Sequence, residues 1–109
     1  MAMNEHELLL LSAKAMGFEL EYRRSSDAFY YDDPDSGREQ WHPLSDDCQA
    51  MRLVVALQLS VTWFTNLHYV SVDRRGVGEN IGWVDDESRG GALRQAITAV
   101  AAKIGRTLL

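Results

Sequence analysis

The chain switches between two hydrophobic periods, and the switches mark its elements. Leu8, Leu11, Ser12 and Ala15 fall on one stripe of a 3.6-residue helix. Asn4 stands where an N-cap belongs, Glu7 three residues on completes a capping box, and Gly17 supplies a left-handed stop. The pattern predicts a helix over about 5–16, closed by an apolar contact from Phe18. Period two then takes over. Phe18, Leu20 and Tyr22 alternate with Glu19 and Glu21, which predicts a strand with one wet face near a sheet edge. Residues 23–27 read as a turn and 28–31 as a second strand. Asp33-Pro34-Asp35-Ser36-Gly37 is turn chemistry: proline fixes φ, Asp and Ser bond locally, and glycine accepts a positive φ. From there a loop is expected to reach Trp41-His42-Pro43-Leu44, with Pro43 holding His42 extended.

Ser45 is the expected cap of a second helix over about 46–58, whose stripe is Ala50, Leu53, Val54 and Leu57. Asp46 and Asp47 suit the positive end of its dipole. Three short strands are predicted next, at 61–64, 68–72 and 81–84. A tight link at 65–67 joins the first two, and a longer flexible loop at 74–78 leads to the third. Large apolar groups at consecutive positions, such as Trp63 beside Phe64, imply that both sheet faces are covered and that Trp63 and Trp83 are largely buried. A last helix over about 89–107 buries Leu93, Ala96, Ile97, Val100 and Ile104, with Ser88 as its cap. The order α-β-β-α-β-β-β-α, with hairpin-length links, predicts one α/β (α+β) domain over 1–109: an alpha–beta–alpha sandwich around a largely antiparallel sheet. No internal repeat and no interdomain linker is legible.

Composition narrows this little. Apolar residues make up 46% and charged residues 25% of the 109, the balance of an ordinary globular domain. No apolar run approaches the ~18–20 residues of a membrane span, and the start of the chain lacks signal-peptide character. One cysteine, Cys48, fits a reducing compartment, so a cytoplasmic location in a host cell is expected. Charge says more through its placement. Residues 1–47 carry eleven acids against four bases, whereas residues 48–109 carry five acids against seven bases. Between Asp27 and Asp47 only Arg38 opposes seven acids. Such a face repels phosphates, disfavouring nucleic acid, and attracts a basic partner. Asp32, Asp33, Asp35 and Glu39 are the candidate partner-binding residues on it.

Candidate chemistry is thin. Gly76-Val77-Gly78-Glu79-Asn80-Ile81-Gly82 mimics a dinucleotide fingerprint, but its third glycine comes one residue late and a strand follows where a helix must begin. His6, His42, His68 and Cys48 lack metal-ligand spacing, and no orienting residue accompanies the pair His42 and Cys48. The carboxylate groups Asp32/Asp33/Asp35, Asp46/Asp47 and Asp85/Asp86/Glu87 would suit a hard cation, yet all lie in turns or helix starts where acids are favoured anyway. Arg23-Arg24 and Arg74-Arg75, with Tyr30, Tyr31, Trp63 and Trp83, would suit base stacking, but the aromatics are needed for a core and the net charge is −5. No catalytic residue, metal or cofactor is expected.

The most distinctive segment is Trp41-His42-Pro43-Leu44-Ser45-Asp46-Asp47, read as an apolar staple in which Trp41 and Leu44 pin the approach to the second helix. Together with Ala-Lys-Ala-Met-Gly at 13–17 and Arg-Gln-Ala-Ile-Thr-Ala-Val-Ala-Ala-Lys-Ile-Gly at 94–105, it resembles the phage ABA sandwich domain proteins over about residues 5–106. These are small accessory proteins of phages and prophages. The resemblance implies an alpha–beta–alpha sandwich and a viral origin, and carries over no site residues; His42 stands where such proteins often have Asn. The expected function is therefore non-enzymatic binding of a host macromolecule, or of a phage protein, with inhibition of a host defence or regulatory system as one version; self-association is left open. The competing classes are a small-molecule or nucleotide-ligand binder with a pocket under the 74–80 loop and, behind it, a metal-dependent hydrolase.

Overall fold

A computed structural model of the chain describes residues 3–108. Helix α1 spans Glu5–Ala15. The Asn4 side chain accepts the Glu7 N–H at 2.8 Å while the Glu7 carboxylate accepts the Asn4 N–H, closing the expected capping box. At the other end Gly17 takes φ +77°, Phe18 N–H donates to Ala13 O and Gly17 N–H to Lys14 O, the two bonds of a Schellman stop.

An antiparallel meander follows: β1 (Glu21–Arg23), β2 (Ala28–Asp33) and β3 (Gly37–Gln40). Strand β3 lies where a loop was expected. Gly-Arg-Glu-Gln offers no apolar period, and what makes it a strand is the Asp33–Gly37 turn, which returns the chain onto β2 with Asp33 opposite Gly37. Strand β1 also starts later than the alternation suggested. Phe18 and Leu20 lie ahead of it and pack on the core, Phe18 stacking on Tyr31 at 4.6 Å between centroids.

Helix α2 spans Asp47–Leu57, and Asp46, not Ser45, is its cap: the Asp46 carboxylate accepts the Gln49 N–H at 3.0 Å. Ser45 and Asp46 both donate their N–H groups to His42 O, a turn that carries the chain one residue past the expected cap. A second antiparallel meander comes next: β4 (Ser60–Phe64), a short 3₁₀ turn at Thr65–Leu67, β5 (Tyr69–Arg74) and β6 (Val77–Gly82). The expected long loop before the last strand is instead a two-residue hairpin turn, Arg75-Gly76, with both φ angles positive (48° and 87°). This brings β6 forward to residue 77, and the pairing fades at Trp83, whose N–H still donates to His68 O. Helix α3, Arg89–Thr107, closes the chain after a single 3₁₀ turn (Asp86–Ser88) capped by Asp85.

The fold is thus an α+β sandwich with fully antiparallel pairing, as expected in class, but built on two three-stranded sheets where one was expected. Helix-plus-meander occurs twice in succession, with α3 as the shared closing element. Helix α3 packs on α1, on α2 and on β5 and β6. The largest fully buried apolar side chains among the described residues include Trp41, Tyr31, Leu53, Ile97, Val70, Val72 and Val100, drawn from both sheets, α2, α3 and the segment before α2. Trp41 is completely buried, as its place beside Pro43 predicts, and its indole N–H lies 3.1 Å from both Leu9 O and the Ser12 hydroxyl.

The expectation of two covered sheet faces fails for the second sheet. Val61, Trp63, Val70, Val72 and Ile81 share the helix-side face, while Thr62, Phe64, Ser71 and Asn80 share the other, where Phe64 stacks on Tyr69 in the open. Trp83 is buried, but Trp63 is 42% exposed. Consecutive large side chains reflect here an outer aromatic pair rather than a second covering layer.

Candidate functional site

The four acids proposed to face a partner have unequal fates. Asp33 is buried, its side chain 3% exposed, and holds the turn together: it accepts the Asp35 and Ser36 N–H groups at 2.8 and 3.2 Å and pairs with Arg52 of α2 at 2.5 Å. The Arg52 bond, then the backbone donors, pull its carboxyl down to about 2. Asp33 is therefore a structural residue, a correction to its reading as part of an open acidic face. Glu39 is half-buried and accepts the Tyr31 hydroxyl at 3.1 Å; burial, then this bond, push Tyr31 up to about 12. Asp32 is exposed but pairs with Arg38 at 3.0 Å, and Arg38 also binds Glu21. Only Asp35 keeps a carboxylate with no side-chain partner among the described residues. The Asp33–Arg52 pair ties the loop that carries it to α2.

The remaining candidates resolve in the same way. Asp85 caps the turn before α3 and Asp86 pairs with Arg89 at 3.3 Å. Among the described residues no three His, Cys, Asp or Glu side chains converge on a point that would hold a metal ion. His42 is bonded not to Cys48 but to the Ser45 hydroxyl at 2.8 Å through Nδ1, with Glu5 at 3.5 Å from Nε2. Cys48 is exposed in the first turn of α2. A recess of about 320 Å³ lies between α1, β6 and α3, and of the 74–80 segment only Glu79 lines it. Its Lys103 is committed internally, to Glu79 at 2.6 Å and to Gly78 O at 2.7 Å, while its Arg106 meets Glu7 only at 3.8 Å.

The surface that stands out was not among those candidates. A groove of about 490 Å³ runs between α2 and α3 beside β4, with Ala50, Met51, Trp63, Leu93 and Ile97 lining it. Met51 is 57% exposed and continues along the outer face of α2 to Val55, 70% exposed. At the β4 tip Trp63 also borders a hollow shared with Leu67, 70% exposed, and with Phe64, which reaches it from the opposite sheet face. Shared residues therefore make one apolar strip from α2 across the groove to the β4 tip. Its rim is acidic. Asp47 and Asp86 border the groove with side chains 85% and 89% exposed, even though Arg94 and Arg89 pair with them. Arg94 is partly withdrawn, its Nε donating to Leu44 O at 2.9 Å.

Compared with protein-family models, curated proteins and solved structures, the chain matches none of them. Among the described residues no helix is long and apolar enough to cross a membrane.

Sequence reasoning missed the strip because it weighed what charges were present and not where they were missing. A quarter of the chain is charged, yet the twenty residues 53–72 contain no Asp, Glu, Lys or Arg. That interval spans the second half of α2, all of β4 and most of β5. A buried element accounts for such a gap only in part, since Val55, Trp63, Phe64 and Leu67 are exposed.

Proposed function

We propose that the chain is a non-enzymatic binding protein, an accessory protein of phage or prophage, that engages a host protein through the α2–α3 groove. The partner is a segment with apolar side chains flanked by Lys or Arg. One observation carries this reading: an apolar floor of exposed Met51 and Trp63 and half-buried Leu93, flanked by the exposed carboxylates of Asp47 and Asp86, each shared with an arginine. Apolar anchors supply affinity in such an interface, and rim charges supply orientation and encounter rate. The chain's net charge of −5 favours the same partner sign, and Asp35 adds a free carboxylate on the loop tied to α2.

The test is capture from host lysate with the tagged chain, beside Met51→Asp and Leu93→Asp variants and an Asp35→Lys variant. The reading requires one partner that both groove variants lose, that Asp35→Lys binds more weakly, and whose capture falls as salt rises. A partner retained by both groove variants would sink it.

A further inference from the structure

Beyond the groove, we infer that β4 pairs with β4 of a second copy, joining two three-stranded sheets into one of six strands. The two sheets have four edges, and three of them are guarded. Strand β1 carries Glu21 and Arg23, and β3 carries Arg38 and Glu39. On β6, Glu79 holds Lys103, whose ammonium also takes the Gly78 carbonyl. Charges on an edge, and side chains capping its backbone, are how folded proteins keep edges from pairing. Strand β4 has neither. It reads Ser-Val-Thr-Trp-Phe, without charge, proline or glycine, and is hydrogen-bonded only to β5. Four of its five residues are exposed.

The occupant follows from self-complementarity. In an antiparallel pair with the two-fold axis at Thr62, each Val61 stands opposite the other copy's Trp63, and each Ser60 opposite its Phe64. An aromatic beside a β-branched side chain is a favourable cross-strand pair, and the two-fold produces it twice. No like charges meet, because residues 53–72 have none to bring. Elsewhere two copies, each at −5, repel. The pairing uses the strand edge and sets Trp63, which also lines the groove, against the other copy's Val61, so the dimer and a groove partner share that ring. Five-residue strands bury little, so the contact falls at or below the low end of the roughly 1,200–2,000 Å² of stable interfaces, the range of weak and transient association.

Sedimentation equilibrium from low to high micromolar concentration should show a reversible monomer–dimer transition. Thr62→Lys and Thr62→Glu, exposed at the axis, should each weaken it about tenfold or more, and an equimolar mixture should restore it. Higher salt should leave the wild-type dimer unchanged or tighter, the opposite of its effect on a basic partner at the groove. A chain that is monomeric throughout, a dimer indifferent to both substitutions, or a mixture no tighter than its parts overturns the inference. Should either variant fail to fold, hydrogen exchange of the wild-type β4 amides decides instead: their protection must rise with concentration.

Discussion

Gly105 of α3 lies so close to Leu11 of α1 that a β-carbon on it would stand 1.9 Å from the Leu11 carbonyl oxygen and 3.2 Å from the Ala15 nitrogen. The obstacle is backbone, which cannot swing aside as a flexible side chain can. The two helices therefore meet at a point where only glycine fits.

Gly105→Ala must push α1 away from α3, and the expected loss is at least about 3 kcal/mol in urea unfolding. Gly91→Ala is the control within the same helix. Its nearest outside atom is the tip of Arg94 at 3.8 Å, so alanine's better helix propensity should raise stability by about 0.5–1 kcal/mol. Equal effects at the two positions would refute the close approach.

Trp41→Ala should cost about 3–5 kcal/mol, a large share of the stability of a domain this size. The side chain is fully buried against Phe18 and Tyr31 and its N–H is bonded. Trp41→Phe should cost less, since it keeps most of the apolar volume and loses part of the ring system with the N–H contacts. Urea midpoints of the two variants check the ranking, and an unaffected Trp41→Ala protein would place the ring at the surface.

Asp33 should set part of the acid limb of stability. Its folded-state value of about 2 lies below the ordinary value of 3.8. Its contribution is therefore complete above pH ~4 and is lost as pH falls toward 2. Asp33→Asn should be less stable at neutral pH and should show a flatter decline over that window, read by thermal melts from pH 6 to pH ~2. Asp35→Lys, on the same turn but exposed, should change stability by less than about 0.5 kcal/mol. Reversing all four acids together would therefore be costly through Asp33 alone, contrary to the view of the cluster as a free surface.

Gln58 ends α2 with φ +54°, a conformation that suits glycine, and its side chain is exposed. Gln58→Gly should stabilise by up to about 1 kcal/mol in chemical unfolding. A loss would mean that the glutamine side chain holds the stop in a way its exposure does not reveal.

The sequence by itself determined whatever local periodicity and local hydrogen bonding decide. The Asn4–Glu7 box, the Gly17 stop and the three helices all rest on residues close in the chain, whereas the burial of Trp41, expected from its place beside Pro43, is completed by Leu9, Ser12 and Phe18 far from it. The α+β class followed from element order. What the tertiary structure decided depends on partners distant in sequence. Residues 37–40 become a strand only because β2 is there to pair with, since nothing in Gly-Arg-Glu-Gln signals burial. Whether Trp63 and Phe64 face one covered layer or two depends on how many sheets form, and two separate meanders leave Phe64 on a bare face. The four acids look alike in sequence, yet Arg52, nineteen residues from Asp33, withdraws one of them from the surface. The groove needs α2, β4 and α3 brought together, and no window shorter than the distance from Asp47 to Ile97 contains its lining. Period and composition report each residue's own preference, whereas exposure depends on which neighbours arrive.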